Sequence, residues 1–162
     1  AAYNMLGEVD STITVAGLTI FAHSGKTVTI DENGKTLDEM TFTNRLKLGG
    51  SGEFDDNGQP LGRVLSIDVT GPTNVMVAAM SSSSGEDRVL NIAAGSMDNI
   101  IAEFPAMGAS LTGATYFYGG GPSKLYFYSP SSGVNVYYLK ATSSPTAMSN
   151  SFIAVGLEVA FK

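Results

Sequence analysis

The chain has 162 residues, the amount that one hydrophobic core serves, so residues 1–162 read as one domain. Charged residues are 15% against about 25% in ordinary soluble domains, and the absence of Cys excludes disulfides, thiolate nucleophiles and Cys-ligated zinc together. A net charge of −6 disfavours nucleic acid and anionic membrane as partners, and no apolar run approaches the ~18 residues of a membrane span.

Period-two alternation of apolar residues, broken by Gly, Pro, Asn, Asp and Ser, predicts a succession of short strands. In chain order these are Thr12–Ala22 (broken at Gly17), Thr27–Ile30, Met40–Leu48, Arg63–Val69, Asn74–Met80, Arg88–Ala93, Asn99–Glu103, Ala114–Tyr118, Lys124–Ser129, Val134–Ala141 and Phe152–Phe161. The most helix-like piece, Met97–Phe104, ends at Pro105 and amounts at best to one turn. Asn33-Gly34 and Asn57-Gly58 carry the signal of tight reversals. No self-similarity of 20–50 residues appears, which argues against a propeller or solenoid. The economical architecture is an all-β, antiparallel β-sandwich of jelly-roll type. Phe42, Leu46, Leu65, Ile67, Val75, Val77, Leu90 and Ile92 are its predicted core rows. In Met40–Leu48, Arg45 and Lys47 then project together away from the core. For Lys124–Ser129 and Val134–Ala141 the alternation leaves open which face is core.

Little catalytic chemistry is specified. His23 is the lone histidine, at the end of an apolar strand, and Gly-x-Ser-x-Gly and nucleotide-binding glycine fingerprints are absent. The acids, among them Asp31, Glu32, Asp38, Glu39, Glu53 and Glu86, fall mostly in predicted turns, where an enclosed acid/base pair is rarely built. The expectation is therefore no enzymatic activity. Asp55-Asp56-Asn57 sits in an oxygen-rich turn that suits a structural Ca2+ ion as well as a plain surface turn.

Aromatic residues say more. Six of the seven tyrosines lie within Tyr116–Tyr138. Tyr116 and Tyr118 share one face, Tyr126 and Tyr128 another, with Phe117 and Phe127 expected beneath; a surface row of tyrosines would offer ring faces and hydroxyls to sugars. Ordinary strand packing is the competing reading. Arg45, Lys47, Arg63, Arg88 and Lys124 lie at strand starts or on one strand face and could recognise carboxylates, or each could pair with an acid of the same domain.

Four ordered motifs carry a resemblance: Phe42-Thr43-Asn44-Arg45-Leu46-Lys47-Leu48-Gly49-Gly50-Ser51-Gly52, Arg63-Val64-Leu65-Ser66-Ile67-Asp68-Val69, Asp87-Arg88-Val89-Leu90-Asn91-Ile92, and Lys124–Ser129 with Gly133–Tyr138. Over about residues 10–141 the chain resembles the β-sandwich module appended to secreted bacterial pectate lyases and related plant cell-wall-degrading enzymes. The resemblance implies a non-catalytic carbohydrate-binding module, extracellular, joined to a catalytic domain on the same parent chain and targeting plant polysaccharide. Pectin is favoured over xylan or β-glucan because uronates reward local cations. The expected ligand-binding residues are Arg45, Lys47, Arg88, Tyr116, Tyr118, Lys124, Tyr126 and Tyr128, and the expected state is a monomer. The alternatives are a structural spacer of a larger enzyme and, last, a small enzyme.

Overall fold

The computed structural model describes residues 6–143, together with the strand backbones at Ala2–Tyr3 and Gly156–Phe161. Among the described residues there are sixteen strands and no helix. They are β1 (Ala2–Tyr3), β2 (Gly7–Val9), β3 (Ile13–Val15), β4 (Leu18–Phe21), β5 (Val28–Leu37), β6 (Met40–Lys47), β7 (Glu53–Phe54) and β8 (Pro60–Gly62). The second half holds β9 (Val64–Val69), β10 (Thr73–Ser81), β11 (Arg88–Ala94), β12 (Ile100–Ala106), β13 (Thr112–Tyr118), β14 (Ser123–Tyr128), β15 (Val134–Ser143) and β16 (Gly156–Phe161). The first part of the predicted strand Phe152–Phe161 lies outside the described residues.

Two sheets face each other. One runs β12-β11-β14-β9-β4-β3; in the other, β13-β10-β15 continues through β6 to β5-β2 and through β16 to β1. The pairings are antiparallel except β1 with β16. Alternation explains the core: Leu18, Ile20, Leu65, Ile67, Leu90, Ile92, Leu125 and Phe127 of the first sheet meet Val28, Ile30, Leu46, Val75, Val77, Val134, Val136 and Leu139 of the second. This is the expected antiparallel β-sandwich. The break at Gly17 is a two-residue reversal in which Ala16 and Gly17 both take positive φ, 55° and 83°, the twist that joins adjacent strands most directly.

Two local expectations are corrected. Asn33-Gly34 makes no reversal: β5 runs through it, and the pairing with β6 jumps from Glu32↔Asn44 to Lys35↔Phe42, so two residues oppose Thr43 alone. That is a β-bulge, a device that turns a side chain to a new direction. The chain reverses instead at Asp38, whose φ is 54°. Met97–Phe104 is no helix: β12 runs through Pro105, which an edge strand tolerates because its missing N–H has no ladder partner to lose.

A second bulge shapes the outer face of the β13-β10-β15 sheet. Ala78 pairs with Tyr138 and Ala79 with Val136, which leaves Tyr137 as the extra residue of β15. Val134, Val136, Leu139 and Ala141 face the main core, while both Tyr137 and Tyr138 join a separate apolar cluster on the outer side of the sheet. The β5–β6 hairpin builds the rest of that cluster. β6 pairs with β15 only at Asn135↔Lys47 and Val136↔Leu46, and β16 then takes its place beside β15. The freed tip lies back across the sheet, packing Leu37, Met40 and Phe42 on Ala78, Leu111, Tyr137 and Tyr138. Phe42 stands 6.3 Å from the Tyr137 ring and 5.5 Å from that of Tyr138.

Candidate functional site

Where the hairpin leaves the sheet, a pocket of about 140 Å3 opens between the bulge of β5, the outer face of β15 and β10, and the serine-rich loop at 81–86. Asn33, Lys35 and Arg45 form one wall, Ser82 and Ser84 the other, with Met80 between them and Asn135 and Tyr137 beneath. Tyr137 is fully buried and organises the first wall: its hydroxyl donates to Asn33 Oδ1. Burial pushes its phenol up from the usual value, and the neighbouring Arg45 guanidinium opposes that shift. Arg45 Nε donates to Asp31 Oδ1 at 2.9 Å, and that hydrogen bond foremost holds its pKa above the ordinary value. Lys47 Nζ lies 3.8 Å from Asp31 Oδ2, so one carboxylate is shared between the two cations.

The opposite wall is fixed from behind. Arg88 Nη1 donates to Ser82 Oγ at 2.8 Å and to the Gly133 carbonyl at 2.7 Å, while Nε donates to Glu86 Oε1 at 2.7 Å. Asp87 Oδ1 accepts the Gly108 N–H at 2.9 Å. A Cβ at Gly108 would stand 2.6 Å from the Ser83 carbonyl oxygen and 2.8 Å from that of Ser84, so only glycine permits this approach. The side chains that reach solvent here, Asn33, Lys35, Arg45, Ser82 and Ser84, offer amide, hydroxyl and cationic groups within one depression. Its volume is well below the roughly 300–1,000 Å3 of enclosed small-molecule sites, a shape suited to gripping part of an extended ligand.

Of the residues expected to bind ligand, the structure brings Arg45 and Lys47 to this face and puts Arg88 behind its rim, with its side chain 11% exposed. Lys124 lies on the other sheet, exposed, with Nζ 2.7 Å from Asp68 Oδ1. The expected surface row of tyrosines is corrected. Tyr126 and Tyr128 are 4% and 5% exposed beneath the β7–β8 hairpin, where Phe54 meets the Tyr128 ring edge-on at 4.9 Å and the Tyr128 hydroxyl donates to the Met97 carbonyl. On β13 the expected faces are exchanged: Tyr116 and Tyr118 pack against the main core and Phe117 is exposed. Sequence reasoning missed Asn33, Lys35, Ser82 and Ser84; the available signal was the Asn-Gly pair, which marks a bulge as readily as a reversal.

Two other groups find structural partners. His23 Nδ1 accepts the Gly25 N–H, leaving Nε2 to carry the proton toward Glu53 Oε1 at 2.6 Å, a tie between the β4–β5 connection and β7. Asp55 Oδ1 accepts the backbone N–H groups of Asn57 and Gln59, so the Asp55-Asp56-Asn57 turn is ordered by its own amides. Among the described residues no three His, Asp or Glu side chains gather as a metal cluster.

No protein-family model matches this chain, and no curated protein matches it in sequence. Among solved structures it is similar to the CBM22-1 xylan-binding domain of Xyn10C from Paenibacillus barcinonensis, at 12% identity and a TM-score of 0.51, over 82% of this chain and 96% of that one. The two share a fold. Similar too are the CBM36-1 domain of a multidomain xylanase from the hindgut metagenome of Trinervitermes trinervoides (13% identity, TM-score 0.47, 74% of this chain and 99% of that one) and a family 35 carbohydrate binding module from Clostridium thermocellum (16%, 0.43, 72% and 92%).

Proposed function

We propose that this chain is a non-catalytic carbohydrate-binding module that holds a plant cell-wall polysaccharide on the outer face of the β13-β10-β15 sheet. The observation that carries this reading is the pocket at 33–35, 45 and 82–84, whose two hydrogen-bonding walls are held in place by buried Tyr137 and Arg88 before any ligand arrives. The sandwich fold shared with a xylan-binding domain supports it. A neutral backbone such as xylan is the first ligand, since Arg45 and Lys47 already share Asp31 and have less to offer a uronate than two free cations would. Pectin is the second, favoured by Lys35 at the pocket edge.

Affinity electrophoresis against xylan, pectin, β-glucan and mannan tests this. Retardation by xylan that is insensitive to salt supports the neutral reading; retardation by pectin that weakens as salt rises supports the uronate one. Retardation by none leaves the spacer reading in its place. Secretion, a catalytic domain on the same parent chain, pectate-lyase association and a calcium ion at Asp55, Asp56 and Asn57 belong to the same proposal; the motif resemblance supports the first three and the oxygen-rich turn the last.

A further inference from the structure

A sheet edge presents unpaired N–H and C=O groups, and proteins that must stay apart blunt their edges by shortness, charge, proline or bulges. The described edges of this protein follow that rule with one exception. β1 has two residues; β2 and β3 have three each, with Glu8 in β2; β12 carries Glu103 and Pro105 and meets β11 across a register shift. β13 has seven residues, pairs among the described residues with β10 alone and does so in unbroken register from Tyr118 to Thr112. It holds no charge and no proline, and it lies in a stretch from Phe104 to Ser123 without a single ionisable Asp, Glu, Lys, Arg or His. Phe117 projects from it at 63% exposure.

We propose that β13 is a self-association edge, on which a second copy of this chain adds its own β13 antiparallel. Charge selects that occupant: two copies of a −6 chain repel, and this edge is where they can meet without opposing like charges. Pattern completes the match. An antiparallel twofold centred on Thr115 sets Phe117 of one copy across from Gly113 of the other, where the Leu37 side chain already lies over the glycine, so the exposed ring packs on Leu37. The twofold axis of such a pair stands perpendicular to the sheet, which therefore continues across both copies and turns both pockets to the same side. The expectation of a monomer gives way to a dimer built for two-point attachment to a polymer surface.

Sedimentation velocity from micromolar to near-millimolar protein, together with a cysteine trap, tests this. The chain has no Cys, so Thr115→Cys carries the only thiol, and facing Cα atoms of an antiparallel pair fall within disulfide reach. Expected are a concentration-dependent dimer of the unsubstituted protein, rapid covalent dimerisation of Thr115→Cys under oxidised glutathione, and loss of the dimer in Thr115→Lys with an unchanged melting temperature. Thr41→Cys, on the exposed side of β6, is the control that stays mainly monomeric. A sedimentation coefficient independent of concentration, or cross-linking of Thr115→Cys no faster than that of Thr41→Cys, overturns the proposal.

Discussion

Phe42→Ala separates the contribution of the folded-back hairpin from that of the main core. Phe42 is buried, yet it belongs to the outer cluster and contacts Tyr137 and Tyr138. Truncating a buried phenylalanine costs about 3–5 kcal/mol, and the position of this cluster at the molecular surface, where neighbours relax into the gap, places the loss near 3 kcal/mol. For a domain of this length each kcal/mol lowers Tm by about 2–4 °C, so a drop of about 6–12 °C is expected in calorimetry. The same change detaches Leu37 and Met40 from the sheet and loosens the Asn33–Lys35 wall, so polysaccharide affinity falls at temperatures where the variant is still folded. Phe42→Leu, which keeps most of the volume, recovers more than half of the loss. A Tm within about 2 °C of the unsubstituted protein would refute the argument that the hairpin tip is packed on the sheet.

Three further outcomes follow from the same geometry. Arg88→Met keeps the stem but removes the hydrogen bonds to Ser82, Gly133 and Glu86; with bonds to a charged group at about 1.5–3 kcal/mol and partial solvent replacement, about 2 kcal/mol of stability is lost, and affinity falls more than for Lys124→Ala, whose side chain is on the other sheet. In alkaline solution Tyr137 and Tyr116 ionise later than ordinary tyrosines because burial raises both; each holds its proton more tightly folded than unfolded, so their contribution is complete below pH 10 and is lost as pH rises beyond it, seen as late phenolate absorbance coincident with unfolding. If calcium occupies the Asp55-Asp56-Asn57 turn, adding it raises Tm and chelator reverses the rise; identical melts with calcium and with chelator remove that proposal.

The sandwich was legible because period-two alternation is strong wherever one face is core: Leu65, Ile67, Val75, Val77, Leu90 and Ile92 are all buried as their spacing requires. The pocket was harder to read because it rests on two bulges. An extra residue at Tyr137 breaks the alternation of Val134–Ala141, which is why neither face of that strand could be named as core from spacing alone. Asn33-Gly34 supplies the other bulge, and a local sequence does not separate it from a reversal without its β6 partner. The tyrosine row failed for a different reason: whether Tyr126 and Tyr128 face solvent depends on the β7–β8 hairpin lying over them, a contact between segments some seventy residues apart. Arg45 and Lys47 were placed correctly on an outer face, but Asp31, their shared partner, became visible only with the β5–β6 register.

Isothermal titration of xylan and pectin into the protein and into a variant altered on both pocket walls, Lys35→Ala with Ser84→Ala, with Lys124→Ala as the control, tests the placement of the site. One of the polymers is expected to bind the unsubstituted chain, the two-wall variant to keep its melting temperature and lose about tenfold or more in affinity, the equivalent of roughly 1.4 kcal/mol, and Lys124→Ala to bind like the parent. Binding that survives in the two-wall variant and disappears in Lys124→Ala would contradict that placement, and would move the site to the opposite sheet.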